Sequence, residues 1–538
     1  MSFAAPNIEW AALVPVLIIF GAAVLGVLFE ALVPRRPRRT AQVILALVAM
    51  AAALVAVVWR WTLVVENGPI PVVYQETIQP GFMGHLAQIV EDGPALAAQA
   101  ILLTAAFLAM LVIADRTSTG EDAFAPSGAT APGSAEEDRA NKAGFEQTEV
   151  FPLVMFALLG MMVFTNANDF VSLFVALEVL SLPLYVLSGL ARRRRLLSQE
   201  ASLKYFLLGA LSSGFFLFGI ALLYGFSGSF NFAVIADSVA VVPGMDFMLL
   251  AGAMLVTVGL LFKVAAVPFH SWAPDVYQGA PTPITGFMAA ATKIAAFAAM
   301  LRVFYVVIPN LRWDFEVVMW VISGLTMLVG TVLVLNQQNL KRMLAYSSIA
   351  HAGFILLGVM ALQPDGPEGV LFYLLAYGMA TIGAFAVINS VRERDALGRI
   401  TSEAGELEQW KGLGRTNPVI AGAMMVFLLS FAGIPLTAGF IGKFEVFGSA
   451  LRGGLGPLVV LAILCSAATA YIYFRVMVLM FFNAPEEGAE GPEGAAVVVD
   501  SEGLSVVAIG IAAFVTILLG VIPGPAIEIL GSAMAFLP

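Results

Sequence analysis

The stretch Leu260–Pro283, LLFKVAAVPFHSWAPDVYQGAPTP, decides how the chain is read. It continues an apolar run that begins near Asp246, yet it carries Lys263 and then Pro268 and Pro274. A proline removes a backbone donor and collides with the preceding turn. The helix is therefore expected to break near Val267, leaving carbonyls for water or a side chain. Asn417–Leu451 repeats the design: Gly433 and Pro435 interrupt an apolar run and Lys443 follows, with a second break expected near Ile434. Paired Gly/Pro-broken apolar segments are the sequence pattern of a membrane transport site. The plainer alternative is a packing kink.

Outward from these two stretches the chain is apolar almost throughout: 60% of its 538 residues are hydrophobic and 12% charged. Soluble domains carry about 25% charged residues, so this is an integral membrane protein and not an anchored globular domain. Windows of about 20 residues find about fourteen segments, starting near Trp10, Ala41, Pro94, Glu149, Asp169, Glu200, Asp246, Thr282, Asp314, Leu340, Gly369, Asn417, Gly456 and Gly503. The first has no basic flank before it and is read as a span, not a cleaved signal peptide. The expected fold is all-α and polytopic.

Two loops, Arg116–Gln147 and Ala484–Glu502, are rich in Gly, Pro, Ser and acids and read as mobile linkers. They hold most of the net charge of −10, which therefore says little about partners. The single cysteine, Cys465, can form neither an internal disulfide nor a four-cysteine cluster cage. His85, His270 and His351 are scattered, and Gly412-Leu-Gly414 lacks the third glycine of a phosphate loop. No metal, redox cofactor, nucleotide or nucleic acid is expected to bind this chain.

Basic residues set the orientation, because cytoplasmic loops carry the Lys/Arg excess. Loops after odd-numbered segments hold Arg35, Arg36, Arg38 and Arg39, the run Arg192–Arg195, Lys341 and Arg342, and further arginines. Loops after even-numbered segments hold little beyond Arg312 and Arg452. Both termini are expected on the non-cytoplasmic side of a bacterial inner membrane. The segments divide as 1–114 (three helices), 115–148 (hydrophilic loop), 149–308 and 314–482 (five helices each), 483–502 (acidic loop) and 503–538 (last helix and tail). Five is odd, so the second five-helix unit must enter from the opposite side, giving an inverted repeat. The two broken segments are each the fourth member of their unit.

Seven basic residues remain within segments. Arg60, Arg302 and Arg475 are expected to snorkel to the interface. Lys204, Lys263, Lys293 and Lys443 need another account. Lys293 and Glu178 lie roughly 15 Å deep at about 1.5 Å per residue, where insertion scales charge about 2.5–3.5 kcal/mol per ionised group. A function is the default reading of such residues. A desolvated lysine whose charge depends on a nearby carboxylate is a switchable proton carrier. Glu178 and Lys263 are the expected pair, with Lys293, His351 and Lys443 continuing the path and His270 as an input branch. A structural, hydrogen-bonded role is the alternative for each histidine. Lys293 is expected opposite the lipid-exposed residues of its helix, with Ala289, Ala290 and Ala296 admitting neighbours. Ammonium groups repel sodium and offer no ligand oxygen, which favours protons as cargo.

These residues resemble the antiporter-like membrane subunits of proton-pumping NADH:quinone oxidoreductase. The likeness lies in LFVALEVLSLPLYVLSGL with Glu178, EASLKYFLLGALSSGFFLFGIALLYGFSG with Lys204, LFKVAAVPFHSWAPDVYQGAPTPITGFMAAATKIAAFAAMLR with Lys263 and Lys293, NLKRMLAYSSIAHAGF with His351, and FLLSFAGIPLTAGFIGKFEVF with Lys443. It covers roughly residues 150 to 480. YQGAPTP and a lysine in the second broken helix resemble the N-type members, while M-type members typically place a glutamate there. The chain ends soon after its last segment, without the lateral helix expected of L-type members. The resemblance implies Glu178 and Lys263 as the charged pair of a first half-channel, Lys293 as the central lysine and Lys443 as the residue toward a second. Lys204 matches by motif. It further implies that flavin, iron–sulfur clusters and quinone sit on other subunits, and that subunits M and K are neighbours in the bilayer. A subunit of a multi-subunit Na⁺/H⁺ antiporter is the alternative, and a stand-alone solute carrier a more distant one. The loop Arg116–Gln147 departs from compact members.

Overall fold

Some of the helices begin at a side-chain cap. The Asp92 carboxylate accepts from Ala95 N at 3.1 Å and opens Gly93–Ala114. Asp169 accepts from Val171 N and Ser172 N, both at 2.8 Å, and opens Phe170–Ser188. Each satisfies amide donors that the first helical turn leaves free. The computed structural model describes residues 5–537 apart from 80–81, 119, 126–133, 143–145, 243, 395–399, 484–495 and 500. Parts of both loops read as mobile linkers lie outside the described residues.

The helices that matter here run α1 (Trp10–Leu32), α2 (Arg35–Asn67), α3 (Gly93–Ala114), α4 (Val150–Asn166), α5 (Phe170–Ser188), α6 (Arg195–Ser227), α7 (Asp246–Val264), α8 (Trp272–Gly279) and α9 (Thr282–Val307). They continue as α10 (Arg312–Leu335), α11 (Leu340–Met360), α12 (Gly366–Ser390), α13 (Pro418–Ala432), α14 (Ala438–Arg452), α15 (Gly456–Phe481) and α16 (Leu504–Val521). Among the described residues, 12 helices are long and apolar enough to cross a membrane, and α4 and α13 are shorter apolar helices. These fall on the expected apolar segments. Both expected breaks are present: α7 gives way to α8 across 265–271, and α13 to α14 across 433–437.

Helices α9 and α11 form the centre of the bundle, each buried along its whole most apolar window. That corrects the expectation of a lipid-exposed face on α9: Ala289, Ala290 and Ala296 are all buried, and so are their neighbours around the helix. Alanines and glycines let helices approach on every side, so no face is left for lipid. A π-helical turn, Met288–Thr292, immediately precedes Lys293.

Two small antiparallel sheets were not expected from the apolar pattern. One joins Asn7–Ile8 to the hairpin Ile70–Gln79/Phe82–Glu91. It docks on one end of the bundle, where Asn231 Nδ2 donates to Ala87 O at 2.8 Å and Asn168 N to Gln88 O at 2.8 Å. The other aligns Val391–Arg394 between Ile400–Glu403 and Ala496–Val498. The described flanks of the two loops are anchored: Thr117 bridges to Ser501, and Phe124 to Ala191.

Two of the three arginines expected to snorkel do not. Arg60 forms a bidentate pair with Glu91 at 2.5–3.0 Å, with both groups nearly buried. Arg302, 1% exposed, donates to the fully buried Asp92 at 2.6 Å, and Leu537 N donates to the other Asp92 oxygen at 3.1 Å. Each arginine found a carboxylate from a distant part of the chain, so neither needed water. Arg475 does stay at the surface, on Gln338. The basic start of α2 opposes the helix dipole. It is offset because Arg39 donates to Asp122 at 3.1 Å and Arg38 to Glu30 at 3.3 Å.

Candidate functional site

The first break leaves Lys263 in the last turn of α7. Ala265 turns the chain with a left-handed backbone (φ 60), and Phe262 O, freed by the break, accepts from Trp272 Nε1 at 2.9 Å. Val267 N donates to Thr326 Oγ1 at 3.0 Å, which ties the break to α10. Phe262 O and Val267 N are thus engaged by side chains other than Lys263. Lys263 Nζ is buried and has no hydrogen-bond partner; it faces the rings of Tyr205 and Tyr185 at 5.4 and 5.7 Å. Glu178, on α5, is the acid whose charge reaches both Lys263 and Tyr185. The two do not form an ion pair within 4.0 Å, and Glu178 Oε1 is buried without a partner. They stand as an electrostatic pair held apart.

Lys293, 1% exposed on α9, donates to Ser348 O on α11 and sits over the Tyr377 ring at 5.6 Å. One residue before Ser348, Ser347 Oγ bonds the Tyr473 hydroxyl. That hydroxyl also lies 3.4 Å from His351 Nε2, while His351 Nδ1 is 2.7 Å from the Tyr373 hydroxyl. His351 therefore has a hydroxyl on each ring nitrogen, and the charges of Lys443 and Lys293 both act on it.

At the second break Gly433 takes the left-handed turn (φ 78). Lys443, from α14, reaches back so that its Nζ donates to Phe431 O at 2.8 Å, Ala432 O at 3.0 Å and Ser466 Oγ at 2.8 Å. All three ammonium donors are used. The lysine occupies the carbonyls that the break releases, as a helix C-terminus favours.

The remaining expected residues sit elsewhere. Lys204 is well exposed and pairs with Glu200 at 2.6 Å and Asp275 at 2.7 Å. Asp275, on α8, also accepts from Arg342 at 2.6 Å, so it clasps α6 and α11 together. His270 is half-buried in the first break, its Nδ1 without a hydrogen-bond partner. Missed from the sequence were Tyr373, Tyr473, Ser347, Ser466 and Asp275. A hydroxyl in an apolar helix looks like ordinary packing, and only Asp275 carried a signal, as an acid inside YQGAPTP's own broken segment.

Fold and site together define an antiporter-like membrane subunit. The family described as NADH:quinone oxidoreductase/Mrp antiporter, TM matches residues 167–480. NADH-quinone oxidoreductase subunit N of Beutenbergia cavernae is 57% identical over 100% of both chains. A chain of respiratory complex I from Thermus thermophilus with bound aureothin is 31% identical, with a TM-score of 0.73 over 96% of this chain and 100% of that one. A chain of the Mrp complex from Dietzia sp. DQ12-45-1b has a TM-score of 0.77 over 98% of this chain and 97% of that one. At 21% identity it shows the fold alone. The chain belongs to the NADH-quinone oxidoreductase subunit N family.

Proposed function

We propose that this multi-pass chain is the proton-translocating N-type subunit of an NADH:quinone oxidoreductase, driven by redox chemistry in partner subunits. The observation that supports the reading is a buried cluster in which Lys293 donates to Ser348 O, Ser347, Tyr473 and His351 are joined by hydrogen bonds, and the charges of Lys293 and Lys443 act on His351, with Lys263 and Glu178 as a separate buried pair. The Glu178 charge reaches Lys263, whose amine otherwise has only the faces of Tyr205 and Tyr185 and no hydrogen-bond acceptor. When the field at Glu178 changes, the Lys263 ammonium becomes the costliest charge in the bundle and releases its proton toward Lys293. Hydroxyls and His351 then offer successive donor and acceptor sites to Lys443. Lys204 braces α8 from outside, and His270 remains the input branch at the first break.

In the same reading, residues 149–308 and 314–482 are inverted repeats, subunits M and K are the neighbours, and both termini face away from the cytoplasm. The basic loops support this last point, because Arg192–Arg194, Lys341 and Arg392 surround one cavity at one end of the bundle. The multi-subunit Na⁺/H⁺ antiporter reading shares the family model and the fold but is less supported than the subunit N reading, which a 57% identical relative carries. The test is proton pumping by the assembled complex in vesicles. Glu178→Gln should abolish most of it at normal subunit levels, Glu178→Asp should be milder, and Lys263→Arg should fail because arginine does not give up its proton. Full pumping by Glu178→Gln at normal assembly would remove the pair from the mechanism.

A further inference from the structure

A cavity of about 390 Å³ lies away from the residues of the proton line. It lies at the end where the basic loops meet, and its walls come from parts of the chain far apart in sequence. Arg192, Arg193 and Arg194 follow α5, Lys341 opens α11, and Arg392 sits in the strand after α12. Three carboxylates also line it, Glu121, Asp122 and Glu403. Their charge is largely spent. Glu121 is shared by Arg192 at 3.7 Å and Arg193 at 3.2 Å, and Glu403 by Lys341 at 3.3 Å and Arg392 at 3.6 Å. Asp122 pairs with Arg39 at 3.1 Å. Arg194 engages no carboxylate among the described residues, and it holds a left-handed backbone (φ 56) at the cavity wall. Lys341, 5% exposed, lies at the inner end.

Five cations against three carboxylates leave a surplus of about two positive charges around a partly open cavity. Burial lowers the Arg392 guanidinium, and among the surrounding charges Arg193 and Arg192 add to that effect against Glu403. Burial raises the Glu403 carboxyl, but Lys341 and Arg392 outweigh it and hold the group below the usual carboxylate range. The electrostatics therefore ask for another anion. Guanidinium forks suit a tetrahedral oxyanion, and the volume falls within the roughly 300–1,000 Å³ usual for small-ligand sites.

We propose that this cavity is a binding site for a phosphate-bearing anion, held by Arg194 and Arg392 with Lys341 at its inner end. The source is either a free phosphate compound or the headgroup of an acidic lipid. The site reaches the turn Gln278–Pro281 between α8 and α9, where Lys341 Nζ already donates to Ala280 O at 2.9 Å and Thr282 Oγ1 at 3.0 Å. An anion seated there braces the start of the helix that carries Lys293. The proposal does not depend on the proton line.

The experiment is cryo-electron microscopy of the intact complex prepared three ways: delipidated and phosphate-free, delipidated with inorganic pyrophosphate, and phosphate-free with added phosphatidylglycerol. Density between Arg194 and Arg392 with pyrophosphate identifies a free-phosphate site, and headgroup density continuous with acyl chains identifies the lipid. Arg194→Gln should raise the pyrophosphate needed for half-occupancy about tenfold while the complex still assembles. Arg392→Gln is the stronger variant, and because it is more buried the exposed Arg194 substitution keeps the test valid if Arg392→Gln fails to fold. Water-sized density alone in all three preparations, or occupancy unchanged in Arg194→Gln, overturns the proposal.

Discussion

The two broken helices look alike in sequence and differ in how they hold their lysine. At the second break Lys443 follows the interruption and turns back onto two freed carbonyls and a serine hydroxyl. At the first, Lys263 precedes the interruption and points away from it. Trp272 takes the freed Phe262 carbonyl, and the Lys263 amine is left with two aromatic faces and a distant carboxylate. A charge with three hydrogen bonds is settled, whereas one with none is poised. The order of lysine and break along the chain therefore leaves one amine without a hydrogen bond and gives the other three.

Removing both amines is the largest test of that contrast. Lys263→Met and Lys443→Met should each cut proton pumping by the complex at least about tenfold, a barrier change of about 1.4 kcal/mol or more. Their effects on stability should diverge. Lys443→Met leaves Phe431 O and Ala432 O buried without a donor, at about 1–3 kcal/mol each, and should lower the thermal midpoint. Lys263→Met leaves no hydrogen-bond partner unpaired and removes a desolvated amine, but it takes the counter-charge from Glu178, so its midpoint should fall less than that of Lys443→Met. Equal destabilisation by the two would break the comparison.

The turning residues sharpen it further. A Cβ on Gly433 would stand 2.8 Å from Lys443 Cδ and 3.0 Å from its Nζ, in a left-handed backbone. Gly433→Ala should therefore cost about 2 kcal/mol and displace Lys443, read as lowered thermal stability together with reduced pumping. Ala265→Gly relieves the same backbone strain at the first break, where the lysine does not lie against the turn. It should leave pumping intact and stability unchanged or higher by up to about 1 kcal/mol.

Smaller effects should mark the supports. Thr326→Val removes the acceptor of Val267 N and should destabilise by about 1 kcal/mol in a thermal scan, with pumping reduced only as far as the first break loosens. Lys204→Gln removes exposed ion pairs, which salt screens, so its change should stay within about 1 kcal/mol. A large pumping loss from Lys204→Gln at normal stability would place that lysine in the path after all.

The residues visible from the sequence were those that violate the apolar pattern. Glu178, Lys263, Lys293 and Lys443 each cost insertion energy, so each stands out in its segment, and proline and glycine mark the breaks because they alter the backbone itself. Tyr373, Tyr473, Ser347 and Ser466 did not stand out, since a hydroxyl can satisfy itself within a helix at little cost and carries no charge. Arg60 and Arg302 were visible but misread as snorkelling residues, because Glu91 and Asp92 meet them only when the hairpin end and the start of α3 fold against α2 and α9. The sequence by itself determined which charges enter the membrane and where two helices break, because both are local and costly. Only the tertiary structure decided which amine has partners and which has none, and which loops close into one basic cavity, because burial and pairing depend on segments hundreds of residues apart meeting at a few ångströms.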